Sequence, residues 1–153
     1  MNTRKPPAGT GPTPFQAAFH GAFTSALRWP QLDDLWARVR ARAGEGWYIY
    51  AVGEALPEGP SEAAQVERFI DEMDALLRRE HQEAYCGIVY ADDLRHPGFI
   101  KIYDPNNLGV SCGYSDNPPP PGWLLTLIPP EEVGDGRLNP GGRRRWWQRL
   151  LGR

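Results

Sequence analysis

Apolar positions along this chain follow two periods, and the change from one to the other marks the elements. Phe15, Phe19, Phe23 and Leu27 recur every four residues, with Ala18, Ala22 and Ala26 beside them, which predicts one apolar stripe on a helix. Pro30 interrupts that stripe and suits the first turn of a second helix, where no N–H is needed, with Asp33 and Asp34 near the positive end of its dipole. Leu32, Leu35, Trp36, Val39 and Ala43 form the inner face of this second helix. Arg38, Arg40 and Arg42 crowd its C-terminal half and read as a solvated helix end, with Gly44 as a left-handed stop.

The aromatic and β-branched run at 47–52, WYIYAV, predicts a strand buried on at least one side and central in a sheet. Ser61 then caps a long helix whose inner face is Ala63, Val66, Phe69, Ile70, Met73, Leu76 and Leu77. Its acids lie early and its basic residues late, as the helix dipole favours. A second strand at 84–90 follows, and the intervening helix implies a right-handed crossover between parallel strands. The short loop ADDLRHPG leads by a hairpin into a third strand at 99–103. A short fourth segment around 110–114 is in position to pair next. Residues 123–128, WLLTLI, fit either an edge strand or a short helix, and strand is preferred.

These elements make an α+β fold: a single domain over residues 15–130, with two N-terminal helices and a β-α-β-β core on a small mixed sheet. Residues 1–14, rich in Pro, Gly and Thr, offer little apolar surface and read as a flexible arm. Residues 131–153 form a Gly/Pro linker and a basic tail.

Charge sharpens that division. The chain has 17 basic and 19 acidic residues, and the six arginines from Arg137 onward leave the remainder at 11 against 19, about −8, with the tail at +6. An acidic body disfavours nucleic acid, which requires a basic face. The tail is different: Trp146 and Trp147 share one helical face with Leu150 and Leu151, and Arg144, Arg145 and Arg149 lie mainly on another. That arrangement suits peripheral contact with an anionic membrane surface, or docking on the acidic body. The N-terminal residues lack the continuous apolar run of a secretory signal, and no segment approaches membrane-spanning length. A cytoplasmic, bacterial-type protein, in one variant peripheral at the inner membrane surface, is the expectation.

Candidate chemistry concentrates between Asp104 and Cys112. GVSCG at 109–113 has the spacing of a nucleophile elbow, but prolines follow where a helix is required, and every histidine precedes Ser111. DPNNLG at 104–109 places Asp, Asn and Gly as in a calcium loop, yet Leu108 and Ser115 stand where oxygen ligands belong. His81, Glu83 and Cys86 lack the second cysteine pair of a zinc deaminase. Asp92, Asp93 and His96 equally suit a solvated turn, so no metal and no cofactor is expected. The enzyme alternative is a thiol centre in which Cys112 is the nucleophile and Asp104 and His96 assist it, while Cys86 is an inert core thiol. Asn106, Asn107 and Ser111 are the candidate binding residues beside it. The leading expectation is a small non-catalytic accessory or protein-interaction domain with a protein partner.

Overall fold

The computed structural model describes residues 11–84, 86–105 and 120–133. Among them are three helices, α1 (Pro14–Phe19), α2 (Trp29–Ala41) and α3 (Ala63–Glu80), and five strands, β1 (Thr24–Ser25), β2 (Tyr48–Ala51), β3 (Val89–Ala91), β4 (Phe99–Ile102) and β5 (Trp123–Thr126). The strands form one open sheet in the order β1-β3-β4-β5-β2, and every neighbouring pair is antiparallel. The fold is α+β, as expected, but the sheet is not mixed. β2 and β3 are not neighbours, and three antiparallel steps leave them pointing in opposite directions. A helical connection makes parallel neighbours only when no other strand enters between them; here β4 and β5 both do.

The reason lies in β5, whose four residues, WLLT, are all buried. A strand that is apolar on both faces requires cover above and below and a hydrogen-bonded neighbour on each side. It therefore takes the interior position between β4 and β2, not the edge expected for it, and β2 takes the edge instead of the centre. The outer edge of β2 is fastened at its start by the Ser61 N–H, which donates to the Trp47 carbonyl at 2.7 Å. Ser61 thus secures a loop, and the N-cap of α3 is Glu62, whose N–H donates to the Gln65 side chain at 3.1 Å.

Period-two alternation divides the sheet into two faces. One bears Ile49, Ala51, Val89, Ala91, Ile100, Ile102, Trp123 and Leu125, and packs against Leu32, Leu35, Trp36 and Val39 of α2 and Val66, Phe69, Ile70, Met73 and Leu77 of α3. The two helices are joined by the Trp36 indole N–H to Asp74 at 3.2 Å, and by the ion pairs Arg40 to Asp71 and Arg78 to Asp33, both at 2.6 Å. The other face, with Tyr50, Val52, Phe99 and Leu124, is covered by Phe15 and flanked by Phe19, Phe23, Leu56, Ile128 and Val133.

The first helix is shorter than its four-residue period suggests. Thr13 and Gln16 form a reciprocal capping box around Pro14, and the helix closes at His20. Phe23 lies beyond it, and Leu27 is 56% exposed. The phenylalanine spacing serves one target instead: Phe15, Phe19 and Phe23 all meet the ring of Phe99, at centroid separations of 5.5, 6.2 and 5.6 Å. At the end of α2 the left-handed residue is Gly46 (φ +99°), not Gly44. The Trp47 indole donates to the Arg42 carbonyl at 2.9 Å, so a side chain satisfies the helix end and no glycine is required there. The second predicted strand is regular only over β3. Before it, the Cys86 and Gly87 N–H groups donate to Leu27 and Ala26 around a left-handed Gly87. Among the described residues no helix is long and apolar enough to cross a membrane.

Burial sets a clear contrast between two leucines. Leu35→Ala, in the interface of α2 with the sheet, is expected to cost about 2–5 kcal/mol. Leu27→Ala, on the surface, should stay within about 0.5 kcal/mol. Urea unfolding of the two variants beside the parent chain measures both.

Candidate functional site

The turn joining β3 to β4 is built from its own carboxylates. Oδ1 of Asp92 accepts from the N–H groups of Gly98 and Phe99 at 2.9 and 3.1 Å, and Oδ1 of Asp93 accepts from those of Arg95 and His96 at 2.9 and 3.2 Å. Short acidic side chains that bond backbone a few residues on are a local alternative to ladder pairing, and they fix the shape of a turn. Among the described residues no group of three or more His, Cys, Asp or Glu is arranged to hold a metal ion.

The arginines of α2 hold this turn from the side. Arg38 Nη1 donates to the Arg95 carbonyl at 3.0 Å, and Arg42 Nη1 to the Pro97 carbonyl at 2.6 Å. Arg42 also lies over the Trp47 ring, 5.8 Å from its centroid, and pairs with Glu45 at 3.0 Å. The expected solvated helix end is therefore a clamp in two of its three arginines, and the third, Arg40, reaches across to α3. The i, i+4 spacing of Arg38 and Arg42 places both on one side of the helix, but their acceptors lie 55–57 residues away, beyond any local pattern.

Between α2 and the clamped turn lies an open groove of about 390 Å³, lined by Pro30, Gln31, Asp34, Arg38, Leu94 and Arg95. Asp34 and Arg38 pair across one helical turn at 2.9 Å. Arg95 is exposed and makes no close ion pair among the described residues, so its guanidinium faces solvent beside the apolar Leu94 and Pro30. Such a surface can take an extended segment carrying one apolar and one acidic side chain. Pro30, Asp34 and Arg38 stand out in the sequence as helix-start and helix-end residues, but nothing in it joins them to Leu94 and Arg95.

Of the site residues singled out by sequence, the two that are described, His96 and Asp104, do not line the groove and are not neighbours. His96 is exposed on the turn before β4, whereas Asp104 is 5% exposed just beyond the other end of that strand. Four strand residues alone separate them by about 10 Å. The remaining candidates, Asn106, Asn107, Ser111 and Cys112, the segment at 110–114, and Arg144, Arg145, Trp146, Trp147 and Arg149 of the tail, lie outside the described residues. Cys86 is buried, and burial raises its thiol above the ordinary range, which makes it unreactive. One residue without a sequence motif does draw notice: Lys101, on the face of the sheet opposite α2. Its only signal is compositional, since the chain contains two lysines, Lys5 and Lys101, among 17 basic residues.

Two measurements follow from the turn and its clamp. Arg42→Ala removes a charge-assisted bond from a side chain only 18% exposed and should cost about 1.5–3 kcal/mol. Arg40→Ala, which breaks more exposed pairs, should cost about 0.2–1 kcal/mol by the same denaturation assay. Hydrogen bonds from Arg95 and His96 hold the Asp93 carboxyl below its ordinary value of 3.8. A carboxyl lowered in the folded state favours that state above its unfolded pKa and loses the contribution as pH falls through its folded one. Amide shifts of Arg95 and His96 are therefore expected to follow a titration whose midpoint lies below that ordinary value.

No family model, no curated protein and no solved structure matches this chain.

Proposed function

We propose that this chain is a small, non-catalytic protein-interaction domain that receives an extended, acidic segment of a partner protein in the groove between α2 and the β3–β4 turn. The observation that carries the reading is the pair of arginine contacts that tie the two groove walls together. Arg38 and Arg42 fasten the turn to the helix through backbone carbonyls, so the groove is formed before any partner arrives. Binding to a preformed surface avoids the ordering cost that weakens flexible sites. Leu94 and Pro30 supply apolar contact, and Arg95, on an otherwise acidic body, supplies the attraction for a carboxylate. A reducing, cytoplasmic compartment suits the buried thiol of Cys86.

The test uses the full chain as bait, beside a Leu94→Asp/Arg95→Glu variant whose circular dichroism and melting temperature are checked first. A partner that depends on the groove should be enriched by the parent chain and lose about 30-fold in affinity with the variant, as expected for a contact worth about 2 kcal/mol. Equal enrichment of the same partners by both baits, or enrichment by neither, overturns the proposal.

A further inference from the structure

The charged groups that line the groove between α2 and the β3–β4 turn are unequal in number. Asp34 supplies a carboxylate, and Arg38 and Arg95 each supply a guanidinium. Nε of Arg38 donates to Oδ2 of Asp34 at 2.9 Å, and Nη1 of the same guanidinium donates to the Arg95 carbonyl at 3.0 Å. The charge of Arg38 is therefore balanced where it stands, and its donors are directed at groups of the protein. Among the described residues that line the groove, Arg95 is left as the uncompensated charge. Asp92 and Asp93 on the same turn, with their Oδ1 atoms committed to turn N–H groups, add negative charge close to it. Outside the six C-terminal arginines the chain has 11 basic residues against 19 acidic ones, so no wider positive field supports this spot.

One free guanidinium matches one carboxylate. A phosphomonoester carries about −1.5 to −2 at neutral pH, and two adjacent acids carry a similar charge. Their surplus would meet the carboxylate of Asp34 with no cation left to receive it, and like charges brought together at a contact disfavour binding. Discrimination of this kind comes from a repulsive group in the site as much as from an attractive one. Asp34 is placed to act so, because its side chain is 63% exposed and faces a ligand instead of the core.

We infer that Asp34 is the specificity-determining residue of the groove, admitting a segment with a single carboxylate and rejecting one that is phosphorylated or doubly acidic. This role rests on the docking site proposed above and goes beyond it by fixing the charge of what docks. Asp34 acts in two ways: it occupies Arg38, which otherwise would receive a second anion, and it repels the charge that Arg95 leaves unpaired. Phosphorylation of the partner segment at the contact position is then a signal for release.

The test measures binding of the full-length chain to an array of short peptides. Each carries a leucine on a Gly/Ser background and, at a neighbouring position, Gln, a single Glu, a Glu pair or phosphoserine. The parent chain is expected to prefer single-Glu peptides to their Gln counterparts. It should bind the Glu-pair and phosphoserine peptides about three- to fivefold more weakly than single Glu, the size of an exposed charge contact. Asp34→Asn, with its fold checked by circular dichroism, should remove or reverse that penalty and keep the preference for Glu over Gln. Added salt should shrink the penalty in the parent chain. A turn merely loosened by the substitution would weaken all peptides alike, and an unchanged order of peptides with Asp34→Asn overturns the role given to Asp34. Parent binding to phosphoserine or Glu-pair peptides as tight as to single Glu overturns it too, while leaving the docking site in place. If no Glu peptide exceeds its Gln counterpart, the docking site itself falls and the role of Asp34 with it.

Discussion

The central strands β4 and β5 must be kept from water on both faces, and most of the architecture answers that demand. Phe99, Ile100, Ile102 and all four residues of β5 are buried. One helical layer is therefore insufficient. α2 and α3 cover one face with long amphipathic helices; the other is covered by a six-residue helix and three phenylalanines that converge on Phe99. Because hydrophobic stabilisation scales with apolar area removed from water, the short N-terminal segment contributes to the core out of proportion to its length.

The second organising feature is the use of arginine as a fastener between elements distant in sequence. Arg38 and Arg42 join α2 to the β3–β4 turn, and Arg40 and Arg78 join α2 to α3. Planar guanidinium groups suit this role because several N–H donors leave one side chain in fixed directions, so a single residue can satisfy both a carboxylate and a backbone carbonyl. The groove beside the turn exists because that fastening holds its two walls apart.

The inner faces of α2 and α3 were legible in the sequence because their periodicity is local, and the β3–β4 hairpin because its loop is short. Sheet order was not. WYIYAV and WLLTLI have similar apolar character, and nothing within either run says which is flanked on both sides; the choice depends on partners more than 70 residues apart. The phenylalanine spacing misled in part for a related reason, since residues that meet on one remote ring can continue the period of a helix beyond its end, as Phe23 does after α1 stops at Phe19. At the candidate site, Asp92, Asp93 and His96 were visible as a polar turn, and their disposition follows from the turn itself. The arginine clamp was read as solvated because its acceptors are backbone carbonyls, which every residue possesses and no sequence pattern reveals. Cys112, Asn106, Asn107 and Ser111 lie outside the described residues, so the thiol reading stays at the level of sequence.

The placement of β2 at the edge, joined only to β5, has a consequence for how the chain reaches this fold. Ala51 leaves a ribosome 72 residues before its ladder partner Trp123. At cellular elongation rates that interval is about 4–14 s. Before it ends β2 and the inner faces of α2 and α3 have all been synthesised, but the strand that closes the sheet over them has not. Pairings of such separation slow the folding of small domains and leave apolar surface open to wrong partners. The topology thus makes this chain a candidate for chaperone dependence during synthesis, a demand set by the order of its strands and independent of the final stability of its core.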